Sequence, residues 1–131
     1  MKNKIIFPEL SYLINGICFN THNELGRFAR EKQYANKVET LFKDKKINYK
    51  REYRIGNSGN IADFLVDNKI ILELKAQRII TKDNYFQVQR YLQSSNIKLG
   101  ILVNFRNKYL IPRRVINYKN TYKNLNPNNY Q

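Results

Sequence analysis

The run Ile61-Ala62-Asp63-Phe64-Leu65-Val66-Asp67-Asn68-Lys69-Ile70-Ile71-Leu72-Glu73-Leu74-Lys75 constrains this chain more than any other stretch. Two apolar segments flank a short polar turn, the pattern of two adjacent β-strands. Each segment carries charge where a buried strand ordinarily has none: Asp63 in the first, Glu73 and Lys75 in the second. An uncompensated buried carboxylate is destabilising by several kcal/mol, a large share of the roughly 5–15 kcal/mol by which a domain is stable. Charges placed this way suggest a metal site.

Strand parity turns that suggestion into geometry. Glu73 and Lys75 are two apart and point to one face of a strand, while Ile70, Leu72 and Leu74 point to the other. Opposed residues of a hairpin have a constant sum of positions. Asp63 therefore faces Glu73 only across an odd-numbered loop such as Asp67-Asn68-Lys69, or across a bulge; a tight two-residue turn sends the carboxylates to opposite faces. We expect the odd loop or the bulge. In that register Asp63, Glu73 and Lys75 converge, and Mg²⁺, a hard cation that takes oxygen ligands and keeps several waters, suits two carboxylates with the Leu74 carbonyl. Such a metal would offset carboxylate repulsion and polarise a phosphate, with Lys75 holding or helping to deprotonate a water. Taken alone, Glu-x-Lys is a weak pattern and reads more readily as a surface ion pair with Asp63 solvated; the parity of Asp63, an inward Glu31 and the basic chain reverse that preference.

Elsewhere the periodicity predicts helices over 9–24, with Leu10, Leu13, Ile14, Ile17 and Cys18 on one stripe, and over 27–45, with Phe28, Ala35, Val38, Leu41 and Phe42 inward. Gly26 separates the two as a helix-ending glycine. Glu31 falls on the inward stripe of the second helix, a further carboxylate out of place. Strands are expected over 47–55, 61–66 and 69–76, with 56–60 a turn, and a third helix over 83–95. The near-continuous apolar run 97–105 reads as a strand buried on both faces. A last strand over 109–116, interrupted by Pro112, belongs at a sheet edge. Residues 1–116 form one domain on this reading, and 117–131, rich in Asn, Tyr and Lys, a loose basic tail or an arm on nucleic acid.

Charge narrows the partners. Lys and Arg total 24 against 10 acids, a net +14 over 131 residues. Such a surface attracts polyanions. Apolar runs too short to span a bilayer, no secretory h-region and no strongly basic amphipathic helix with an aromatic face argue against membranes. A single cysteine forbids an internal disulfide and fits a reducing cytoplasm. Cys18 lies on an apolar stripe and reads as core. His22, a ligand or a base by chemistry, reads as structural at its helix end. The absence of a glycine-rich phosphate loop argues against an ATP-driven engine.

With these residues in view, the chain resembles the PD-(D/E)XK nuclease superfamily and, more narrowly, the small group called GxxExxY proteins. The matching residues are His22-Asn23-Glu24-Leu25-Gly26, Glu31-Lys32-Gln33-Tyr34, Ala62-Asp63, Glu73-Leu74-Lys75-Ala76, Gln87, Tyr91, Leu92 and the run from Leu99 to Phe105. Two positions depart from the pattern: Phe28 stands where the usual Gly-x-Gly-Phe-x-Glu run has its second glycine, and Ala62 where the motif often has proline. The resemblance implies an α/β (α+β) fold with a restriction-endonuclease-like core, a central mixed sheet flanked by helices. It implies Asp63 and Glu73 as metal ligands, Lys75 as catalytic lysine, and Glu31 as either a further ligand or a water-positioning group. Gln87 and Tyr91 resemble the Gln-x-x-x-Tyr element of RecB-like nucleases, whose glutamine faces the site; four apart on a helix, they share a face.

The expected function is thus a nuclease that hydrolyses phosphodiester bonds in DNA with Mg²⁺ or Mn²⁺, RNA remaining open as a substrate. Arg51, Arg54, Lys82, Arg90, Tyr91, Arg113 and Arg114 are candidate nucleic-acid contacts. A noncatalytic nucleic-acid-binding module, or a partner subunit on the same fold, is the alternative. A branched-DNA resolvase is the alternative within nucleases, and a double-strand cut would favour a homodimer.

Overall fold

A computed structural model describes residues 5–118. Helices α1 (Pro8–Leu25) and α2 (Glu31–Asp44) come first, then strands β1 (Tyr49–Arg54), β2 (Ile61–Val66) and β3 (Ile70–Lys75), helix α3 (Lys82–Ser95), and strands β4 (Leu99–Asn104) and β5 (Arg113–Ile116). The strands make one sheet in the order β1-β2-β3-β4-β5, antiparallel except for β3–β4. Helix α3 supplies the crossover that a parallel pair requires. The mixed sheet flanked by helices is the architecture expected from the sequence, and the interrupted last strand lies at an edge.

Two apolar clusters sandwich the sheet. Ile14, Ile17 and Cys18 of α1 and Tyr34, Val38 and Phe42 of α2 pack on Phe64, Val66, Ile70, Leu72 and Leu74. Val88, Tyr91 and Leu92 of α3 pack with Ala62, Leu65, Ile71 and Leu102 on the second side. Strand β4 is buried throughout, as its unbroken apolar run requires. Gly100 is needed there: a Cβ at this position would lie 2.7 Å from Val88 Cγ1, so the glycine lets α3 approach the sheet. Leu13 and Phe86, expected on apolar stripes, are exposed instead at 44% and 52%.

The hairpin has the predicted odd loop. Phe64↔Leu72, Leu65↔Ile71 and Val66↔Ile70 are opposed, leaving Asp67-Asn68-Lys69 as the connection. Asp67 and Asn68 both adopt left-handed backbone (φ 52 and 56), which short polar side chains tolerate best. Ile70, Leu72 and Leu74 face α1 and α2, as parity demands.

The second helix starts later than periodicity predicts. Residues 27–30 form a loop, closed by the Tyr34 hydroxyl, which donates to the Gly26 carbonyl (2.6 Å) and accepts from the Ala29 N–H (3.2 Å). The Arg30 N–H donates to the Gln33 side chain (2.9 Å), capping α2. Phe28 is consequently not inward but 72% exposed. Gly26, with φ 73, ends α1 as expected.

Asn117, the first residue of the expected loose tail, is buried; its side chain donates to the carbonyls of Leu92 (3.1 Å) and Ile97 (2.9 Å). The ordered domain therefore includes this residue. The tail from 119 onward lies outside the described residues.

Candidate active site at the divergence of two strands

The ladder between β2 and β3 ends at Phe64↔Leu72. One step on, side chains take over the backbone groups. The Leu74 N–H donates to Asp63 Oδ2 (2.7 Å), and the Asp63 N–H donates to Glu73 Oε1 (3.0 Å). Each carboxylate thereby satisfies a strand N–H that the splayed ladder leaves unpaired, and is itself held in place.

Strand β1 bends at the same level. Its pairing with β2 skips Glu52, the residue abreast of Asp63, which has φ 54. A left-handed non-glycine residue in mid-strand is strained. The alternation of faces breaks there: Tyr49 packs on the first cluster and Tyr53 on the second, while Phe64 and Val66 pack on the first and Ala62 on the second. Asp63 thus sits at the inflection of two strands. No pattern in the sequence marks Glu52 for this conformation, and parity alone misses it.

Lys75 lies on the α3 side of β3. Its Nζ is 3.5 Å from Glu73 Oε2 and donates to Gln87 Oε1 at 2.9 Å. Asp63, Glu73, Lys75 and Gln87 form one connected set, as the sequence led us to expect. Asn104, opposed to Lys75 in the parallel register, was not singled out from the sequence. It is buried and clamps the chain just past Lys75, donating to the Gln77 carbonyl (2.7 Å) and accepting from the Gln77 N–H (3.0 Å). An asparagine ending an apolar strand is the signal that could have found it.

Glu31 corrects an expectation. It is the first residue of α2 and exposed, not on the core-facing stripe. Its Oε2 accepts from the Ala76 N–H (3.3 Å), which brings it to the rim of the site from a second element. Among the described residues no three His, Cys, Asp or Glu side chains are gathered tightly enough to hold a metal ion. The donors present at the centre are the Asp63 and Glu73 carboxylates.

Electrostatics separates this pair from ordinary surface acids. Glu73 is 5% exposed. Burial first, and the neighbouring Asp63 charge second, push its carboxyl up to about 8, against the downward pull of Lys75. Asp63 is likewise raised, mainly by burial and then by Glu31, although the Leu74 N–H pulls the other way. One ammonium does not compensate a buried and a half-buried carboxylate. A divalent cation fits this undercompensated oxygen set, and two carboxylates with a backbone carbonyl are the kind of ligands Mg²⁺ accepts.

The expected nucleic-acid contacts divide. Arg54, Lys82, Arg90 and Arg113 are exposed. Arg51 pairs with Glu39 (2.9 Å) and Asn36 (2.8 Å), on the wall of a cleft it shares with Glu31, Lys32, Glu52 and Asp63. Arg114 fastens the start of α1, donating to Ser11 Oγ and the Ile6 carbonyl (2.7 Å each). Tyr91 is corrected outright: it is 5% exposed and packs in the core under α3, where no strand of nucleic acid reaches. His22 Nε2 donates to the Asn107 carbonyl (2.9 Å), pinning the end of α1. Burial pushes the Cys18 thiol up to about 12, which suits a core residue rather than a nucleophile. No helix among the described residues is long and apolar enough to cross a membrane.

The family model for the PD-(D/E)XK nuclease superfamily matches residues 8–115, from the start of α1 into β5. No curated protein and no solved structure matches the chain.

Proposed function

Since the chain belongs to the PD-(D/E)XK nuclease superfamily, we propose that it is a metal-dependent nuclease hydrolysing phosphodiester bonds in DNA, and that within the superfamily it stands with the GxxExxY proteins. The observation that carries this reading is the connected set Asp63–Glu73–Lys75–Gln87 at the divergence of β2 and β3. Asp63, Glu73 and the Leu74 carbonyl would hold Mg²⁺ or Mn²⁺. The bound metal would polarise the phosphate and lower the pKa of water. Lys75, oriented by Gln87 and Glu73, positions the attacking water or takes its proton and stabilises charge that develops on the phosphate. Glu31, on the rim, orders solvent beside Ala76. Exposed Arg54, Lys82, Arg90 and Arg113 hold the sugar–phosphate backbone without reading sequence. Lys75 has polar partners on both sides and is only 14% exposed in its side chain, which favours a preorganised amine over a solvated surface lysine.

The test is a cleavage panel on linear, circular, branched and single-stranded DNA, and on RNA, with and without Mg²⁺ or Mn²⁺, run beside Lys75→Ala and Glu73→Ala. Metal-dependent cleavage lost in both variants supports the proposal; cleavage undiminished in either variant, or none with any metal, sinks it. Resolution of branched DNA would identify a resolvase and require a homodimer. The exposed position of Glu31 at the rim, outside the hydrogen-bonded set of Asp63, Glu73, Lys75 and Gln87, favours a second reading, a noncatalytic nucleic-acid-binding module or partner subunit in the reducing cytoplasm. That module would bind DNA equally well with and without metal.

A further inference from the structure

Past the carboxylate pair, the same end of the sheet carries a feature the proposed chemistry does not use. Phe28, 72% exposed in the loop before α2, has two guanidinium groups against its ring: Arg27 at 5.0 Å and Arg106 at 5.1 Å from the centroid. Arg27 Nε also donates to the Arg106 carbonyl (2.9 Å), which fixes the two loops to each other. Neither arginine makes an ion pair with a carboxylate among the described residues. Two like charges are therefore held together on an aromatic ring with no anion to balance them. Cation–π attraction offsets part of that repulsion, and a bound anion would offset more.

The cluster lies close to the candidate active site along both loops. Phe28 is three residues from Glu31, a span of at most about 11 Å. Arg106 follows Phe105, whose N–H donates to the Lys75 carbonyl (2.8 Å). We propose that Phe28, Arg27 and Arg106 form a platform for single-stranded DNA: an unpaired base stacks on the exposed ring while its flanking phosphates take the two guanidinium groups. This rests on the reading that nucleic acid is the substrate, and it names the part of a substrate that this side of the site prefers. A base in an intact duplex is already stacked on both faces and has none to offer the ring. An aromatic flanked by arginine is the combination that non-sequence-specific single-strand binding uses.

The experiment is equilibrium binding of the full chain, in EDTA so that no cleavage intervenes, to a fluorescent single-stranded oligonucleotide, to the same sequence as duplex, and to an abasic strand of equal length. Phe28→Ala is expected to weaken single-strand binding about tenfold, within what one base–aromatic stack contributes, and to leave duplex and abasic binding unchanged. Phe28→Tyr is expected to restore it. Arg27→Ala should weaken both DNA forms and reduce the salt slope by about one unit. Because the ring is exposed, matching thermal melts will show that Phe28→Ala remains folded. Wild-type binding that Phe28→Ala leaves intact, or lowers equally for single strand and duplex, overturns the platform alone. Absence of wild-type binding to every nucleic acid overturns the platform together with the reading it rests on.

Discussion

Burial raises the proton affinity of both Glu73 and Asp63, and the Asp63 charge raises that of Glu73 further. The folded chain therefore favours their protonated forms. The stability this contributes is complete below the ordinary glutamate value of 4.5 and is lost as pH rises through about 8. Without divalent metal, Glu73→Gln should gain on the wild type steadily across that window, as read by thermal melts in EDTA at fixed ionic strength. A difference that does not change with pH would refute the electrostatic account. Added Mg²⁺ should remove most of the wild-type loss and none of the variant's, because a cation takes the proton's place only where a carboxylate can ionise. Gln87 offers a separate test. Its amide oxygen holds Lys75 Nζ at 2.9 Å, so Gln87→Ala should lower kcat about 10- to 100-fold, the usual loss when a group supporting a catalytic residue is removed. The KM for DNA should stay near the wild-type value, because Gln87 is assigned no contact with the strand.

At the scale of elements, two backbone positions yield opposite predictions. Helix α2 ends in a Schellman motif: the Ile47 N–H donates to the Phe42 carbonyl (2.9 Å) and the Lys46 N–H to the Lys43 carbonyl (3.1 Å). Lys46 takes the left-handed position with φ 57 and is exposed. Lys46→Gly should stabilise the fold by about 0.5–1 kcal/mol, since a β-carbon is strained there and nothing else depends on the side chain. Gly100→Ala should do the reverse. Its Cβ would meet Val88 at 2.7 Å between α3 and β4, and overpacking of this kind costs about 1–3 kcal/mol. Urea unfolding of the two variants checks both signs. Because α3 carries Gln87, Gly100→Ala should also depress cleavage by displacing the amide from Lys75, which Lys46→Gly should leave unaffected.

For the whole molecule, the +14 charge is the dominant long-range quantity. Binding to duplex DNA should weaken linearly in log–log form as salt rises, with a slope that counts the phosphates neutralised. Lys75→Ala should keep nearly the same slope while losing cleavage, which separates capture from chemistry; a large drop in slope would mean that Lys75 is a backbone contact instead. Asn117 shows where the folded unit extends. Its side chain caps carbonyls at the end of α3, and its N–H donates to the Lys98 carbonyl (2.9 Å) beside β4. Asn117→Ala should be destabilising by about 1–3 kcal/mol, the cost of leaving such groups unpaired.

The hydrophobic pattern by itself determined the order of helices and strands, the odd loop at Asp67-Asn68-Lys69 and the convergence of Asp63 with Glu73. All of these follow from periods of 3.6 and 2 and from the constant sum of a hairpin register, which are local properties of the chain. Gln87 beside Lys75 was legible too, through the resemblance and its helical spacing. Tertiary packing decided the rest. Periodicity placed Phe28 and Glu31 on the inward stripe of the second helix, but the Tyr34 hydroxyl closes the preceding loop, Phe28 is exposed, and Glu31 stands at the rim as the first residue of α2. Tyr91 went to the core and Arg114 to the start of α1, because the partners of both side chains lie far off in sequence. The left-handed turn at Glu52 and the splaying of β2 from β3 arise where three strands bend together. No single strand encodes that, since it depends on how each satisfies its neighbour's backbone.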